Sequence, residues 1–191
     1  LRTVTGVQTC ALPISFMVKM IKDNKATVGA TAEDWQFDST IVATNNLLQQ
    51  RSLNLDLQLD SSTADTSYFT VRLENKAGHK FPSGYPSRRA VVQFTMINSF
   101  GDTVFKSGTF TSDFHVTGET PQFESHHNII SQPDVPQIYE LVMGDVNNNF
   151  TSVLERASVI LKDNRIPPSG FTTSHSSYDT VKISNEDRKS T

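Results

Sequence analysis

Five histidines carry most of the metal chemistry this chain offers: His79, His115, His126, His127 and His175. His79 lies in a Gly/Pro-rich stretch, Lys76 to Arg88, in which Gly78 frees the backbone and Pro82 and Pro86 stiffen the exit. A rigid loop presenting one imidazole suits a metal ligand, because the metal needs a neutral nitrogen held at a fixed angle. The plainer reading is a histidine that bonds the loop's own carbonyls. His126 and His127 are adjacent. On a strand they point to opposite faces and cannot share one metal, leaving one at the core edge and the other in solvent. His115 and His175 fall in loop sequence and read as surface residues. Asp145, Asn147 and Asn149 alternate like the first ligands of a calcium loop, but the sixth position is Phe150 instead of Gly and the twelfth is Arg156 instead of Glu. That excludes an EF-hand and leaves a polar hairpin turn, or a looser calcium site helped by Glu140 or backbone carbonyls. Arg88 and Arg89 follow the loop. A guanidinium fork there suits a carboxylate ligand, or one of the two turns inward onto a buried acid such as Asp163. Asp163, Asn164 and Arg165 read as side chains that tie loop backbone. Met17 and Met20 own thioether sulfurs, but their spacing places them on one apolar helix face, where packing is the commoner role.

Other chemistries lack their residues. There is no G-x-S-x-G elbow, H-E-x-x-H pair or phosphate-cradling glycine loop. The single cysteine is Cys10. The expectation is a domain that makes and breaks no bonds itself. A net charge of −3 and a pI near 5.9 argue against a nucleic-acid partner. No apolar run reaches the roughly 18 residues that a membrane span needs.

The elements that hold these residues follow from hydrophobic period. Phe16, Met17, Met20 and Ile21 share a helical face, and Trp35, Ile41, Val42 and Leu48 recur at near-helical spacing after a cap at Thr31. Near Arg51 the period changes to two: Leu53, Leu55, Leu57 and Leu59 alternate with polar residues, as do Phe69, Val71 and Leu73. Further strands are expected over 90–98, 103–106, 126–131, 137–143 and 157–162, with turns at 61–65, 99–102 and 145–149. Many short strands with turn signals predict a mainly-β fold, an antiparallel β-sandwich preceded by a short α-helical arm.

The two ends read as foreign to that fold. Val4 to Ile14 is VTGVQTCALPI, the translation of a common sequencing adapter. Asp187 to Thr191 has a DNA spelling whose reverse complement encodes Cys-Ala-Leu-Pro-Ile, which are Cys10 to Ile14. The expected organisation is therefore adapter residues at 1–14, a helical arm at 15–50, a sandwich at 51–186 that is cut short, and adapter residues again at 187–191. An unpaired edge strand is expected where the sandwich is interrupted.

Three separated segments carry a resemblance. Asn75 to Arg89 reads NKAGHKFPSGYPSRR, Gln137 to Asp145 reads QIYELVMGD, and Leu161 to Phe171 reads LKDNRIPPSGF. In order and spacing they resemble the signatures of the C-terminal region of multihaem cytochrome c family proteins, with Ser83 standing where that pattern usually has Thr. The resemblance spans most of 15–179, and the helix around FMVKMIKDN is similar to the segment after the last haem motif. It implies a longer bacterial protein, periplasmic or extracellular, with C-x-x-C-H haem attachment upstream. This chain contains no such motif and cannot attach haem c by itself. Implied partners are the upstream haem domain of the same chain and a redox partner protein. The implied role is support of electron transfer, packing on haems with His79 as an axial ligand candidate. His126 or His127 is a second such candidate, and Arg88 a candidate for a haem propionate. The rival reading is a secreted sandwich that recognises a protein, a glycan or calcium.

Overall fold

The structure, a computed structural model, describes residues 2–9, 12–84, 88–172, 174 and 176. The fold is mainly β, with two antiparallel sheets and a few short helices. The arm consists of α1 (Leu12–Asp23), α2 (Lys25–Val28) and α3 (Asp34–Asn46), and a π-helical turn, Leu47–Arg51, leads into the sheets. The cap of helix α3 is Glu33, two residues beyond the expected Thr31, because Gln36 Oε1 reaches back 2.8 Å to accept the Glu33 N–H. Helices α1 and α3 pack on each other and are tied by Lys22–Asp38 at 2.6 Å and Ser15–Asn45 at 2.7 Å. This pairing leaves Met17, Met20, Trp35 and Val42 exposed, so the expected core role of the two methionines is not met among the described residues.

Strands β2 (Leu53–Ser62) and β3 (Ser67–Asn75) form a hairpin of their own, with Leu55 opposite Leu73 and Leu57 opposite Val71. Alternation places Leu53, Leu55, Leu57, Phe69, Val71 and Leu73 on one half-buried face, while Leu59 towards the hairpin end is exposed. The larger sheet is built around β4 (Arg89–Ile97). Along one edge of β4 runs β1 (Arg2–Thr9). The other edge is shared by β5 (Thr103–Ser107) against Phe94–Ile97 and β6 (Gln137–Gly144) against Arg89–Val92. Strand β6 in turn pairs with β7 (Phe150–Thr151) and β8 (Val159–Asp163). Phe69 of the hairpin meets Phe94 at a ring distance of 5.5 Å, and Phe94 meets Phe105 at 5.9 Å, which stacks the hairpin on β4 and β5.

Two findings concern the ends. Residues read as adapter take part in the sheet: Arg2–Thr9 pairs in register along β4, and 12–14 open α1. The strands of the β2–β3 hairpin pair only with each other, and β8, the last strand before the expected interruption, pairs only with β6, among the described residues. The segment 187–191 and His175 lie outside the described residues.

The opposite side of the β4–β6 ladder is covered by a long excursion, residues 108–136, without a named helix or strand. Val116 and the half-buried Phe110 from this excursion pack on Val91 and Ile138. Two glycines make the close approach work. A Cβ at Gly108 would stand 2.0 Å from the Val92 carbonyl oxygen, and one at Gly118 would stand 1.7 Å from that of Asp134. The expected strand over 126–131 is absent from the excursion. The His127 N–H is taken by the Gln137 side chain at 2.9 Å instead of a neighbouring strand, and Pro133 and Pro136 break the chain between there and β6. Among the described residues seven aliphatic or aromatic side chains and two prolines, Pro82 and Pro136, are buried beside nine polar or charged ones, so hydrogen bonding in the interior weighs heavily in fixing this fold.

Candidate functional site

The sequence reading places its first ligand candidate between β3 and β4, and the local chemistry there is dense. Strand β3 ends at Asn75, which is buried. Its amide donates to the carbonyl of His79 at 2.6 Å and to the carbonyl of Ile166 at 3.1 Å, while its oxygen accepts the Ala77 N–H at 2.9 Å. The loop is thus closed over four residues and clamped to a chain segment ninety-one positions away. Phe81 extends the clamp, exchanging two backbone bonds of 2.8 Å with Ile166. The Phe81–Pro82 peptide is cis. On this braced loop His79 is exposed. Its Nδ1 lies 3.1 Å from the Lys80 carbonyl. A carbonyl only accepts, so Nδ1 carries the proton in the neutral ring and the lone pair resides on Nε2. A backbone carbonyl on the far nitrogen is the usual second partner of a metal-bound imidazole.

The foot of the loop rests on Asp163, which is 2% exposed. Arg165 donates Nε to Oδ1 at 2.8 Å and Nη2 to Oδ2 at 2.9 Å, and Lys80 Nζ meets Oδ2 at 2.9 Å. Burial alone pushes this carboxyl's pKa up. The hydrogen bonds and charges of Arg165 and Lys80 outweigh it and hold the group below the usual carboxylate range. Neither Arg88 nor Arg89 reaches Asp163, contrary to the inward pairing considered from sequence. Arg88 Nη1 donates to the Ser83 carbonyl at 3.2 Å. Arg89 is the arginine that turns onto buried acid, joining Glu119 of the excursion and standing 3.5 Å from Glu140. At that separation Arg89 Nε makes no hydrogen bond, and the contact is an ion pair only. Glu140 also binds Lys162 Nζ at 2.8 Å, and Lys162 continues to the Ile138 carbonyl at 3.0 Å. Burial lowers the Lys162 pKa despite that acid.

Asn164 completes the junction. Its oxygen accepts the Glu140 N–H at 2.9 Å, and its amide donates to the Ile138 carbonyl at 2.8 Å. The expected backbone-tying role of this stretch is what the bonds display. The three family-like segments therefore meet at one place: Asn75 to Phe81 on Asp163 and Ile166, and Arg89 on Glu140 beside Lys162 and Asn164.

The adjacent histidines sit beyond this junction in irregular chain, both half-buried, not split between core and solvent as a strand would have them. His126 Nδ1 receives the Gln137 amide at 2.7 Å and the Asn164 amide at 3.2 Å, so its proton belongs on Nε2 in the neutral ring. His127 Nε2 donates to Glu124 Oε1 at 2.6 Å. Burial tends to raise the Glu124 pKa, but the His127 bond and the Thr120 N–H lower it further. Both imidazoles thus present a proton at Nε2, where His79 presents a lone pair. His115 is exposed beside Glu119 at 3.2 Å.

Asp145 uses Oδ1 to accept the Asn147 and Asn149 N–H groups at 2.8 and 2.9 Å, and Asn148 takes φ +63°. These are the bonds of a tight polar turn. Glu140, named as a helper for calcium, is committed to Lys162 and Arg89. Among the described residues no group of three or more His, Cys, Asp or Glu is gathered to hold a metal ion, and no helix is long and apolar enough to cross a membrane. Sequence reasoning missed Asn75, Glu124 and Gln137. Asn75 had one signal: a polar residue ending an alternating apolar strand just before a Gly/Pro loop.

Fold and site together define a mainly-β domain with a braced, histidine-bearing loop. Comparison with protein-family models, with curated proteins and with solved structures gives no match.

Proposed function

We propose that this chain is the closing β-sandwich of a multihaem c-type cytochrome, exported to the periplasm or the cell exterior, and that His79 is an axial ligand to a haem bound by preceding sequence. The haem would supply one-electron chemistry. The chain's own part is to hold the imidazole, keep water from the porphyrin face and brace the junction behind it. The observation that carries this reading is the state of His79: exposed, with Nδ1 on the Lys80 carbonyl and the lone pair therefore on Nε2. His126 and His127 each engage one ring nitrogen in a hydrogen bond within the protein and are assigned to bracing the excursion. The convergence of the three family-like segments on Asp163 to Ile166 supports the same reading, since each keeps a partner there.

The test is the optical spectrum of the intact protein, expressed from its uninterrupted gene, with His79 replaced by Met. Exchange of imidazole for thioether is expected to shift the low-spin bands and raise the haem potential. An unchanged low-spin spectrum rejects the assignment. An intact reading frame without C-x-x-C-H codons rejects the whole proposal.

A further inference from the structure

We infer that the edge of β4 paired with Arg2–Thr9 is the seat of a different strand in the native protein, and that this strand is residues 178–184 of the same chain. The inference rests on reading 1–14 as foreign to the fold and is independent of the haem assignment.

Arg2–Thr9 lies antiparallel on β4 over its whole length, from Thr9 opposite Ala90 to Arg2 opposite Ile97, with no shift of register. Strand addition of this kind is held by main-chain hydrogen bonds, which any extended segment offers. A sequence never selected for the position can therefore take it, and the seat is open whenever 1–14 is removed. Among the described residues no other strand pairs with that edge, since β5 and β6 share the opposite one. Strands that face water along one edge carry charge, proline or a bulge there. Ala90–Ile97 reads AVVQFTMI, with no charge and no proline, and it meets Arg2–Thr9 without a bulge. Ala90 and Val91 are buried, which puts β4 at the centre of the fold. Such a strand is suited to being flanked on both sides.

The chain holds a segment of matching chemistry outside the described residues. Residues 178–184 read YDTVKIS, in which Tyr178, Thr180, Val181 and Ile183 favour extended backbone and no proline or glycine interrupts. Val181 and Ile183 stand two apart, as one face of a strand requires, with Thr180 and Lys182 in the opposite phase. One acid and one base, Asp179 and Lys182, leave the segment neutral. The chain also passes close to the seat. Asn164 bonds Glu140, which stands opposite Arg89, and Ile166 bridges Phe81 in the loop that leads into β4, so the chain leaves β8 at the Arg89 end of β4. The edge in question lies two strand spacings from β6, about 10 Å, and residues 172–177 extend up to about 20 Å.

The experiment uses the full chain and reads amide hydrogen exchange over 90–97 together with size-exclusion chromatography. Val4→Pro with Val7→Pro places proline at one even and one odd position, so a donor toward β4 is lost in either phase of the ladder. Residues 178–184 are expected to take the vacated edge: exchange over 90–97 stays within about threefold of the unaltered chain, and the protein stays monomeric. Adding Thr180→Pro and Val181→Pro is expected to speed that exchange about tenfold or more while 137–144 remains protected. If the fourfold variant unfolds by circular dichroism, Val181→Gly with Ile183→Gly replaces its second pair, with about a threefold acceleration expected. Exchange that quickens with the first pair of prolines alone, or a chain that no longer folds with them, overturns the inference, because 178–184 then does not fill the edge. So does protection that survives disruption of both segments, which shows that the edge needs neither. A dimer that forms with the first pair assigns the edge to a second copy and overturns it as well.

Discussion

Replacing Asn75 by Ala tests how the loop is held. The side chain is 2% exposed and makes three hydrogen bonds, to His79, Ile166 and Ala77. A net intramolecular hydrogen bond is worth about 1 kcal/mol, and a buried group left without its partner costs more. The sum is about 3 kcal/mol of unfolding free energy. For a chain of this size that lowers Tm by roughly 6–12 °C. Chemical denaturation followed by circular dichroism gives the free energy, and a thermal scan gives Tm. Asn54→Ala is the control: Asn54 makes one exposed bond to Glu74 at 3.0 Å, so the change is expected to cost less than about 0.5 kcal/mol. Asn75→Asp sharpens the argument. It keeps an acceptor for Ala77 but sets a carboxylate against the carbonyls of His79 and Ile166, so at pH 7 it should destabilise at least as much as Ala. Protonation restores a donor, and the deficit should narrow as the pH approaches about 4. If Asn75→Ala costs under about 1 kcal/mol, the loop is braced by something other than these bonds, and the account of His79 loses its mechanical basis.

Two further outcomes follow from the buried charges. Asp163 titrates below its unfolded value of about 3.9, so its stabilisation is fully present above that pH and is lost as pH falls through the lower folded value. Asp163→Asn should therefore lower stability at pH 7 and flatten the acid limb of a stability profile below about pH 4; a parallel acid limb refutes the pairing with Lys80 and Arg165. Glu140→Ala strands the buried Lys162 ammonium and should cost about 3–5 kcal/mol by urea unfolding. Lys162→Met should cost less, because Glu140 keeps Arg89 and burial already disfavours the charged lysine. The reverse order would refute this charge network.

Much of the β architecture was legible from period alone. The alternations from Leu53 and from Phe69 became β2 and β3, and the apolar run after Ala90 became β4. What failed did so for physical reasons. The run from His126 looks like a strand, but its backbone donor goes to a glutamine side chain, a tertiary choice that no local pattern encodes. Met17 and Met20 form an apolar stripe, but amphipathicity does not say against what, and the arm leaves them exposed. At the candidate site the loop and His79 were legible from Gly and Pro chemistry. The pairing of Asp163 with Lys80 was not, because Lys80 lies eighty-three positions away and sequence spacing carries no such information. The choice among His79, His126 and His127 came only from which atoms face each ring nitrogen.

The ninety-one positions between Asn75 and Ile166 also govern when the loop becomes firm. As the chain leaves the ribosome, the β2–β3 hairpin and the His79 turn emerge long before their anchor does. Local pairing of the hairpin needs only a short closure, whereas the clamp must wait for a far more costly one. Until Ile166 arrives, Asn75 faces water with one of its carbonyl partners missing, and the imidazole swings on an unfastened turn. A chain stopped between His127 and β8 would hold every histidine from His79 to His127 and still lack the fastening that aims the first of them.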